Sequence, residues 1–297
     1  MLVHEVSRGP ERPVAVGKRP ATVHHLVTEG LLEVSSVQAE SAVTRARATS
    51  PMKLLVPRTK SEVARVSIGT YGGGLLTGDQ TRLHVEVKPG AKAIVTTQSS
   101  TKVFRSVDGE TVRQTLTARV HPGAVAAFIP DPVACFASAR YVQEQRFDVL
   151  GNGTLFVVDW FTSGRRARGE VWAFDHYCSR QQVFLDGQRV VEDAVRLDRD
   201  DGDIGARLRG GRYHCHAVLI LAGETTGPMV AQLQALAGAK PTHGPGARDL
   251  IVVANPITHG LVIRIMGEET ETVARFLARE VEPRLSLFEE TLWGRKF

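Results

Sequence analysis

A strand–turn–strand unit that recurs along the chain is the feature that most constrains its fold. Residues 83–93, LHVEVKPGAKA, return 33 positions later as LTARVHPGAVA at 116–126, and a weaker echo runs from Phe147 through Gly151-Asn152-Gly153 to Val158. A unit this short cannot bury its own apolar face, so successive copies must stack. The repeat predicts a solenoid or β-helix-like body, although strand–Pro-Gly–strand units also arise by chance in ordinary antiparallel sheets.

Hydrophobic periodicity supports a β-rich body over about residues 21–220. In Thr81–Lys88 the apolar residues 83, 85 and 87 face one way and the polar residues between them face the other. Helical spacing appears only late, at 228–237 and 268–292, where Pro283 should kink or split the second helix. The predicted fold class is mainly β, a stacked-strand β-helix-like body with two or so helices near the C-terminus.

The same patterns suggest a domain organisation. We expect residues 1–20, which hold three prolines, to be a flexible tail. Residues 21–297 then form a single domain, with a β body at about 21–220 and a helix-containing part at about 224–297.

Composition excludes several classes of protein. Of the 297 residues, 42% are hydrophobic and 23% charged, which is ordinary for a globular chain. The sequence shows neither a membrane-spanning apolar run nor a signal peptide, so we expect a cytoplasmic protein without a membrane partner. The three cysteines form no Cys-x-x-Cys pair, and the net charge of +5 is scattered, so neither a thiolate zinc site nor nucleic-acid binding is indicated.

Three local motifs resemble parts of known chemical sites, but each lacks residues that such a site needs. The Gly-rich segment 69–79, GTYGGGLLTGD, lacks the Gly-Lys-Ser/Thr of a phosphate loop and favours a tight turn. Ser99-x-x-Lys102 lacks the companion motifs of Ser–Lys enzymes. His214 and His216 share one face of a predicted strand and could begin a metal site, but no third ligand lies nearby in sequence.

Five motifs in order carry a resemblance. They are SPMKLLVP at 50–57, TYGGGLLTGDQ at 70–80, TTQSSTKVF at 96–104, IPDP at 129–132 and GRRARGEVW at 164–172. Together they resemble the urease accessory protein family UreD, called UreH in some bacteria, strongly over about residues 45–175. The SPMKLL form is more similar to the fungal and plant branch of that family.

This resemblance implies a β-helix-like fold without catalytic activity. Proteins of this kind join UreF and the GTPase UreG, dock on apo-urease and pass nickel to its active site. Two copies are expected in a complex with a UreF dimer. No tightly bound cofactor is implied, only nickel in transit, and nucleotide would belong to UreG.

Three acidic residues in these motifs are candidates for the nickel passage: Asp79, Asp131 and Glu170. Each lies next to glycine or proline, whose backbone restrictions would fix the direction of the side chain. We expect Glu170 to begin a strand that places Trp172 on the same face. The alternative is that they are turn carboxylates bound to nearby amides. A competing function is a solenoid enzyme acting on carbohydrate, with Asp79, Asp131 or Glu170 as acid and base. Such enzymes usually line their groove with aromatic residues, which make up only 6% of this chain.

Two further sets are candidates for partner contacts. The basic residues of the motifs are Lys102, Arg105, Arg165 and Arg168, and the apolar stripe of the last predicted helix is Phe276, Leu277, Phe288 and Leu292. An Arg-rich surface suits a partner of opposite charge. The stripe either contacts a partner or packs on the body of this chain.

Overall fold

The computed structural model describes residues 27–57, 62–239, 249–288 and 291–293. The predicted tail at 1–20 lies outside the described residues. The strands are β1 (Val27–Val37), β2 (Glu40–Ala48), β3 (Met52–Leu55), β4 (Ala64–Thr70), β5 (Gln80–Val87), β6 (Lys92–Thr97), β7 (Thr101–Val103), β8 (Val112–Val120), β9 (Val125–Ile129), β10 (Val133–Cys135), β11 (Arg140–Val149), β12 (Thr154–Thr162), β13 (His176–Leu185), β14 (Gln188–Asp198), β15 (Cys215–Ala222), β16 (Leu250–Ile257) and β17 (Gly260–Gly267).

These strands form two facing sheets. Sheet A has the order β14-β13-β11-β8-β5-β1-β2, and sheet B has the order β16-β17-β15-β12-β9-β6-β4-β3. The pairs β1–β5, β5–β8, β8–β11 and β11–β13 are parallel in sheet A, as are β4–β6, β6–β9 and β9–β12 in sheet B. Apart from the short strands β7 and β10, the chain alternates between the sheets from β4 to β13, so each A–B strand pair there is one coil stacked on the last. The predicted β-helix-like body is confirmed.

The sequence repeat coincides with the strand register. Leu83 pairs with Leu116, and Val87 pairs with Val120, each 33 positions away. The weaker echo is also in register, because Phe147 pairs with Ala118. Residues at equal positions in the repeat therefore lie side by side in adjacent coils, with their side chains on the same face.

Stacked turns hold the coils together at one edge. Gly90 and Gly123 both have φ near +70°, a backbone conformation that suits glycine. The Gly90 N–H donates to the Pro122 carbonyl at 3.2 Å, and the Gly123 N–H donates to Asn152 Oδ1 at 2.7 Å. Each turn thus satisfies a backbone donor with a group from the next coil.

Apolar side chains pack on both faces of sheet B. Between the sheets, Val85, Val95 and Val157 belong to one cluster. On the other face, Leu219 and Ile263 belong to a second cluster that the helices cover. Fully burying a Val, Leu or Ile side chain contributes about 1.5–3 kcal/mol, so these clusters dominate the stability of the body.

The helices are α1 (Gly227–Ala239) and α2 (Thr270–Phe276). Beyond α2 the chain makes a π-helical turn, Leu277–Val281, and a 3-10 turn, Glu282–Arg284. The helical pattern predicted to continue to 292 is therefore wrong: the α-helix already ends at Phe276, and helical turns stop at Arg284, one residue beyond Pro283, which cannot donate a helical hydrogen bond. Among the described residues, none of the helices is long and apolar enough to span a bilayer.

Candidate functional site

A row of polar side chains runs through the interior of the body. Its members occupy paired positions on five neighbouring strands of sheet A: Thr28, Thr81, Gln114, Gln143 and Ser179. Gln114 Nε2 donates to Thr81 Oγ1 at 3.2 Å, and Gln143 Nε2 donates to Ser179 Oγ at 3.2 Å. Because the pairing places one position of each coil above the next, the polar row follows the axis of the solenoid.

An internal cavity of about 460 Å³ follows this row. At one end it is lined by the exposed residues Gly73, Ser99 and Lys102, so it opens to the surface there. Its deep end is lined by Gln145 and Asp159, which are both buried. The cavity therefore enters the body beside the Gly-rich segment and reaches a buried carboxylate, and its wall combines the polar row with apolar side chains such as Leu83, Val95 and Phe128.

Asp159 is held in this position by donors from sheet A. Gln143 Nε2 donates to its Oδ1 at 2.9 Å, and Ser179 Oγ donates to its Oδ2 at 2.7 Å. Burial raises the pKa of Asp159 above its ordinary value, the hydrogen bonds from Ser179, Gln143 and Gln181 oppose that rise, and the charge of Asp193 adds to it. Asp159 is thus a fully buried acidic group whose two oxygens both accept hydrogen bonds from neutral donors.

Polar groups continue past the deep end towards the last coil. Gln145 on β11 pairs with Gln181 on β13, which pairs with Asp193 on β14. The buried carboxylate of Asp193 forms an ion pair with Arg264 of β17, whose side chain is 49% exposed. This pair joins sheet A to sheet B where the interior meets solvent.

Sequence reasoning missed Asp159. All nine residues of β12, TLFVVDWFT, are buried, and the segment is typical of a core strand. Asp159 is its one charged residue, and an acidic residue inside an apolar strand was the available signal. Gln114 and Gln143 carried a similar signal, because they take apolar-face positions in their strands.

Of the three predicted passage residues, Asp131 alone lines the cavity. Its carboxylate Oδ2 accepts from Thr97 Oγ1 at 3.3 Å, and it is half-buried. Asp79 instead accepts from the Leu76 N–H at 2.8 Å within its own turn. The structure thus does not bring the three carboxylates together, and their role in nickel transfer stays a prediction.

Glu170 takes part in a local ion pair. It accepts from Arg165 Nε at 2.8 Å and from the Ala137 N–H at 3.1 Å, and the hydrogen bond from Arg165 lowers its pKa. The expectation that Glu170 begins a strand is wrong, because it lies in the loop after the 3-10 turn Arg166–Arg168. Trp172 has φ +52°, a strained conformation for a bulky residue, and it is buried.

The predicted basic contacts are partly brought together. The Arg165 guanidinium lies 3.8 Å from the centroid of the Phe136 ring, and Phe136 packs edge-on against Phe104 at 5.1 Å. Lys102 and Arg105, next to Phe104, are exposed, as is Arg168. These cations therefore belong to the end of the body at which the cavity opens, and their contact with a partner stays a prediction.

The predicted apolar stripe lies largely inside the chain. Phe276, Leu277 and Leu292 are at most 5% exposed within the cluster beneath the helices, and Phe288 is half-buried against it. This burial favours packing on the body, while Phe288 keeps some surface for a partner. The contact of this stripe with a partner stays a prediction.

The two predicted histidines lie in an aromatic cluster. His216 stacks on Phe161 with ring centroids 5.2 Å apart, and His214 stacks on Trp172 at 6.4 Å. Cys215 points the other way and is buried. Burial lowers the pKa of both histidines. Over the described ranges, no three or more His, Cys, Asp or Glu side chains are grouped so that they could hold a metal ion.

Comparison with known proteins gives a consistent result. A family model described as UreD urease accessory protein matches residues 28–296. The chain is 38% identical over 255 residues to the urease accessory protein UreD of Anaeromyxobacter sp. (strain Fw109-5), which covers 85% of this chain and 84% of the relative. It is 40% identical over 249 residues to UreD of Sorangium cellulosum (strain So ce56), with 84% and 77% covered. It is 38% identical over 276 residues to urease accessory protein D of Oryza sativa subsp. indica, with 84% and 89% covered.

Proposed function

This chain belongs to the UreD family of urease accessory proteins, and from that premise we propose that it is a non-catalytic scaffold that conducts nickel to apo-urease. Its work is to hold the accessory complex on the immature enzyme while the ion passes through its interior. The observation that carries this proposal is the axial cavity that opens beside Gly73 and ends at Asp159.

The interior suits an ion that must enter and leave. A closed set of four strong ligands would trap the ion, whereas spaced oxygen donors bind it weakly. Along the cavity the donors are side-chain oxygens of Asp131, Gln114, Gln143 and Asp159. The buried thiols of Cys135 and Cys215 are outside this lining, and burial raises the pKa of both. Nickel therefore meets carboxylate and amide oxygens rather than thiolates.

We assign the partners from the resemblance to the family. UreF, the GTPase UreG and apo-urease are the expected partners, with two copies of this chain on a UreF dimer. The cavity mouth carries Lys102, with Arg105 and Arg168 at the same end of the body, and this charge favours an acidic partner surface. From the same resemblance, nucleotide is expected on UreG, while the Gly-rich segment of this chain lines the cavity.

A carbohydrate enzyme is the competing function, and the site geometry does not favour it. Such an enzyme needs two carboxylates facing each other across an open groove. Of the three candidate acid and base residues, Asp79 is bound to its own turn, Glu170 is paired with Arg165, and only Asp131 reaches the cavity. The other carboxylate in the cavity, Asp159, is buried and bound by Gln143 and Ser179 rather than facing an open groove.

Co-expression tests the proposal. Urease subunits and the other accessory proteins are produced with this chain, without it, or with Asp131→Asn, Asp159→Asn or the double variant. We expect assembly of the complex in all variants, low nickel content and low urea hydrolysis with Asp159→Asn, and the lowest values with the double variant. Fully metallated, active urease in the absence of the chain refutes the proposal. Full nickel loading by the double variant refutes the interior route.

A further inference from the structure

The connections between strands differ at the two edges of the solenoid. One edge, which we call the loop edge, carries the connections 71–79, 104–111, 136–139, 163–175 and 199–213. The opposite edge carries the short turns 88–91, 121–124, 150–153 and 186–187. Of the ten exposed large hydrophobic residues in the described part of the chain, five lie on the loop edge: Tyr71, Leu76, Val107, Val171 and Leu208.

The other exposed hydrophobic residues do not form a comparable set. They lie on or next to strands β1, β3 and β16, and the four short turns of the opposite edge contain none of them. The three most exposed apolar side chains of the described residues are all on the loop edge: Leu208 is 95% exposed, Tyr71 61% and Leu76 59%. A single exposed leucine is common on soluble proteins, but a set confined to one edge marks an interaction site.

Hydrogen bonds between successive connections hold the loop edge in one shape. The Ser138 N–H donates to the Ala173 carbonyl at 2.8 Å, which joins the third connection to the fourth. Thr77 Oγ1 donates to the Val107 carbonyl at 3.2 Å, which joins the first to the second. A surface that is already ordered loses little conformational entropy when it binds, so its exposed apolar side chains can contribute fully to affinity.

The connection that carries Leu208 is fastened to the body of the chain. Ile204 is 2% exposed, and the Gly210 N–H donates to its carbonyl at 2.9 Å. Gly210 also packs so closely on Trp172 that a Cβ at this position would lie 2.8 Å from the indole ring. Leu208 is therefore a fixed projection between two anchored residues.

Cations without an ion pair border these apolar residues. Lys102, Arg105 and Arg207 are exposed, and none of them forms an ion pair with another described residue. The Glu170 carboxylate on the same edge, by contrast, is already bonded to Arg165 at 2.8 Å. The surface that fits is therefore apolar with carboxylates at its border. A second copy of this chain fits poorly, because two loop edges would bring like charges together.

We propose that the loop edge docks a different protein, one that presents an apolar surface bordered by carboxylates. Leu208 and Leu76 are its apolar contacts, and Arg207 is a charged contact. The inference rests on the proposed function, since the docked protein is one of those expected in urease maturation. It adds the surface and the side chains by which this chain binds that protein.

Binding of purified UreF, UreG and apo-urease, each alone, to the immobilised full-length chain tests this surface. We expect Leu208→Asp and Leu76→Asp each to weaken binding of the same one of these proteins about tenfold, because a carboxylate enters an apolar contact unfavourably. Arg207→Glu should weaken the same complex at low salt and much less at high salt, because salt screens exposed charges. All three variants should keep the wild-type melting temperature, since the replaced side chains are exposed.

Val253→Asp is the matched control. Val253 is 46% exposed, but it lies on β16, the outermost strand of sheet B. This variant should bind all three proteins as the wild type does.

Several results overturn the proposal. One is wild-type affinity of all three proteins for both Leu208→Asp and Leu76→Asp, and another is an equal loss of affinity in Val253→Asp. A concentration-dependent dimer of the chain that Leu208→Asp abolishes would assign the loop edge to a second copy instead.

Nickel content of co-expressed urease judges the proposed function separately. If urease needs this chain for nickel but both aspartate variants bind normally, only the docking surface is wrong. If none of the three proteins binds the wild-type chain, alone or together, the docking surface and the assigned partners are both wrong.

Discussion

Replacement of Asp159 separates a structural role for this residue from a functional one. Asp159→Asn keeps the size and one acceptor oxygen but removes the charge, whereas Asp159→Leu removes both acceptors. The carboxylate is fully buried and receives Gln143 Nε2 at 2.9 Å and Ser179 Oγ at 2.7 Å. The two variants should therefore differ in stability but agree in losing nickel transfer.

The magnitudes follow from the donors left behind. In Asp159→Leu, Gln143 and Ser179 each lose a buried acceptor, and an unsatisfied buried group costs about 1–3 kcal/mol. The free energy of unfolding should fall by about 2–6 kcal/mol. In Asp159→Asn the amide oxygen still accepts one of these bonds, and the change should stay within about 1 kcal/mol of wild type at low pH.

The sign of the pH dependence is opposite to that of a salt-bridged carboxylate. The pKa of Asp159 is raised in the folded state by burial, so ionisation opposes folding. Wild-type stability is lost as pH rises from the ordinary pKa of aspartate through the raised folded value. Asp159→Asn carries no such loss, so its stability relative to wild type should increase from about pH 4 to pH 7.

Urea denaturation at pH 4 and pH 7, together with nickel content of co-expressed urease, measures both effects. Asp148→Asn is the control, since Asp148 lies on the outer face of β11 and pairs with Arg146 at 2.8 Å. We expect normal nickel loading with this control. If Asp159→Asn is less stable at pH 7 than at pH 4 relative to wild type, the assigned sign is wrong. If it loads nickel normally, the carboxylate is only structural.

Two other predictions concern the fold and its surface. The Glu86 carboxylate is hydrogen-bonded to His121 Nε2 at 2.8 Å and to Lys88 Nζ at 3.2 Å. Burial raises the pKa of Glu86, but these hydrogen bonds outweigh the effect of burial and lower the pKa from 4.5 to about 2. The charge of Glu86 therefore stabilises the fold above about pH 4.5, and this contribution is lost as the pH falls towards 2. In urea denaturation, Glu86→Gln should lower the free energy of unfolding by about 1–2 kcal/mol at pH 7, after allowance for solvent screening, and by less at pH 3. An equal cost at both pH values contradicts this assignment. Leu277→Ala should lower the free energy of unfolding by about 2–5 kcal/mol, because Leu277 is 0% exposed. Phe288→Ala should weaken the binding of UreF but change the melting temperature little, because Phe288 is only half-buried. Normal UreF binding by Phe288→Ala would assign the whole stripe to packing.

The β-helix-like body could be predicted because its repeat is local. The period of the repeat can be read directly from the sequence, and the 33-residue offset from 83–93 to 116–126 is also the register of β5 on β8. The last helix was predicted too long because apolar spacing continues beyond Pro283. Those later residues do pack on the body, but without helical hydrogen bonds.

Motif reasoning could not tell which of its three carboxylates faces the interior. Asp79 and Glu170 stand next to glycine, where the chain turns, and turns supply amides and cations that satisfy them locally. Asp131 reaches the cavity because its turn adjoins β6, where Thr97 contacts it. A residue beside glycine or proline is fixed in direction, but the motif does not say which direction.

What the sequence by itself determined is the coil: alternating strands, Pro-Gly turns and the face that each residue takes. Only the tertiary structure decided which strands of the two sheets face each other across the interior. The offset between paired strands changes from 33 residues for β5–β8 to 29 for β8–β11 and 36 for β11–β13. Asp193 and Arg264 meet although 71 residues separate them. Such contacts depend on the summed lengths of the intervening turns and on the pairing of β15 with β17, and no local pattern encodes either.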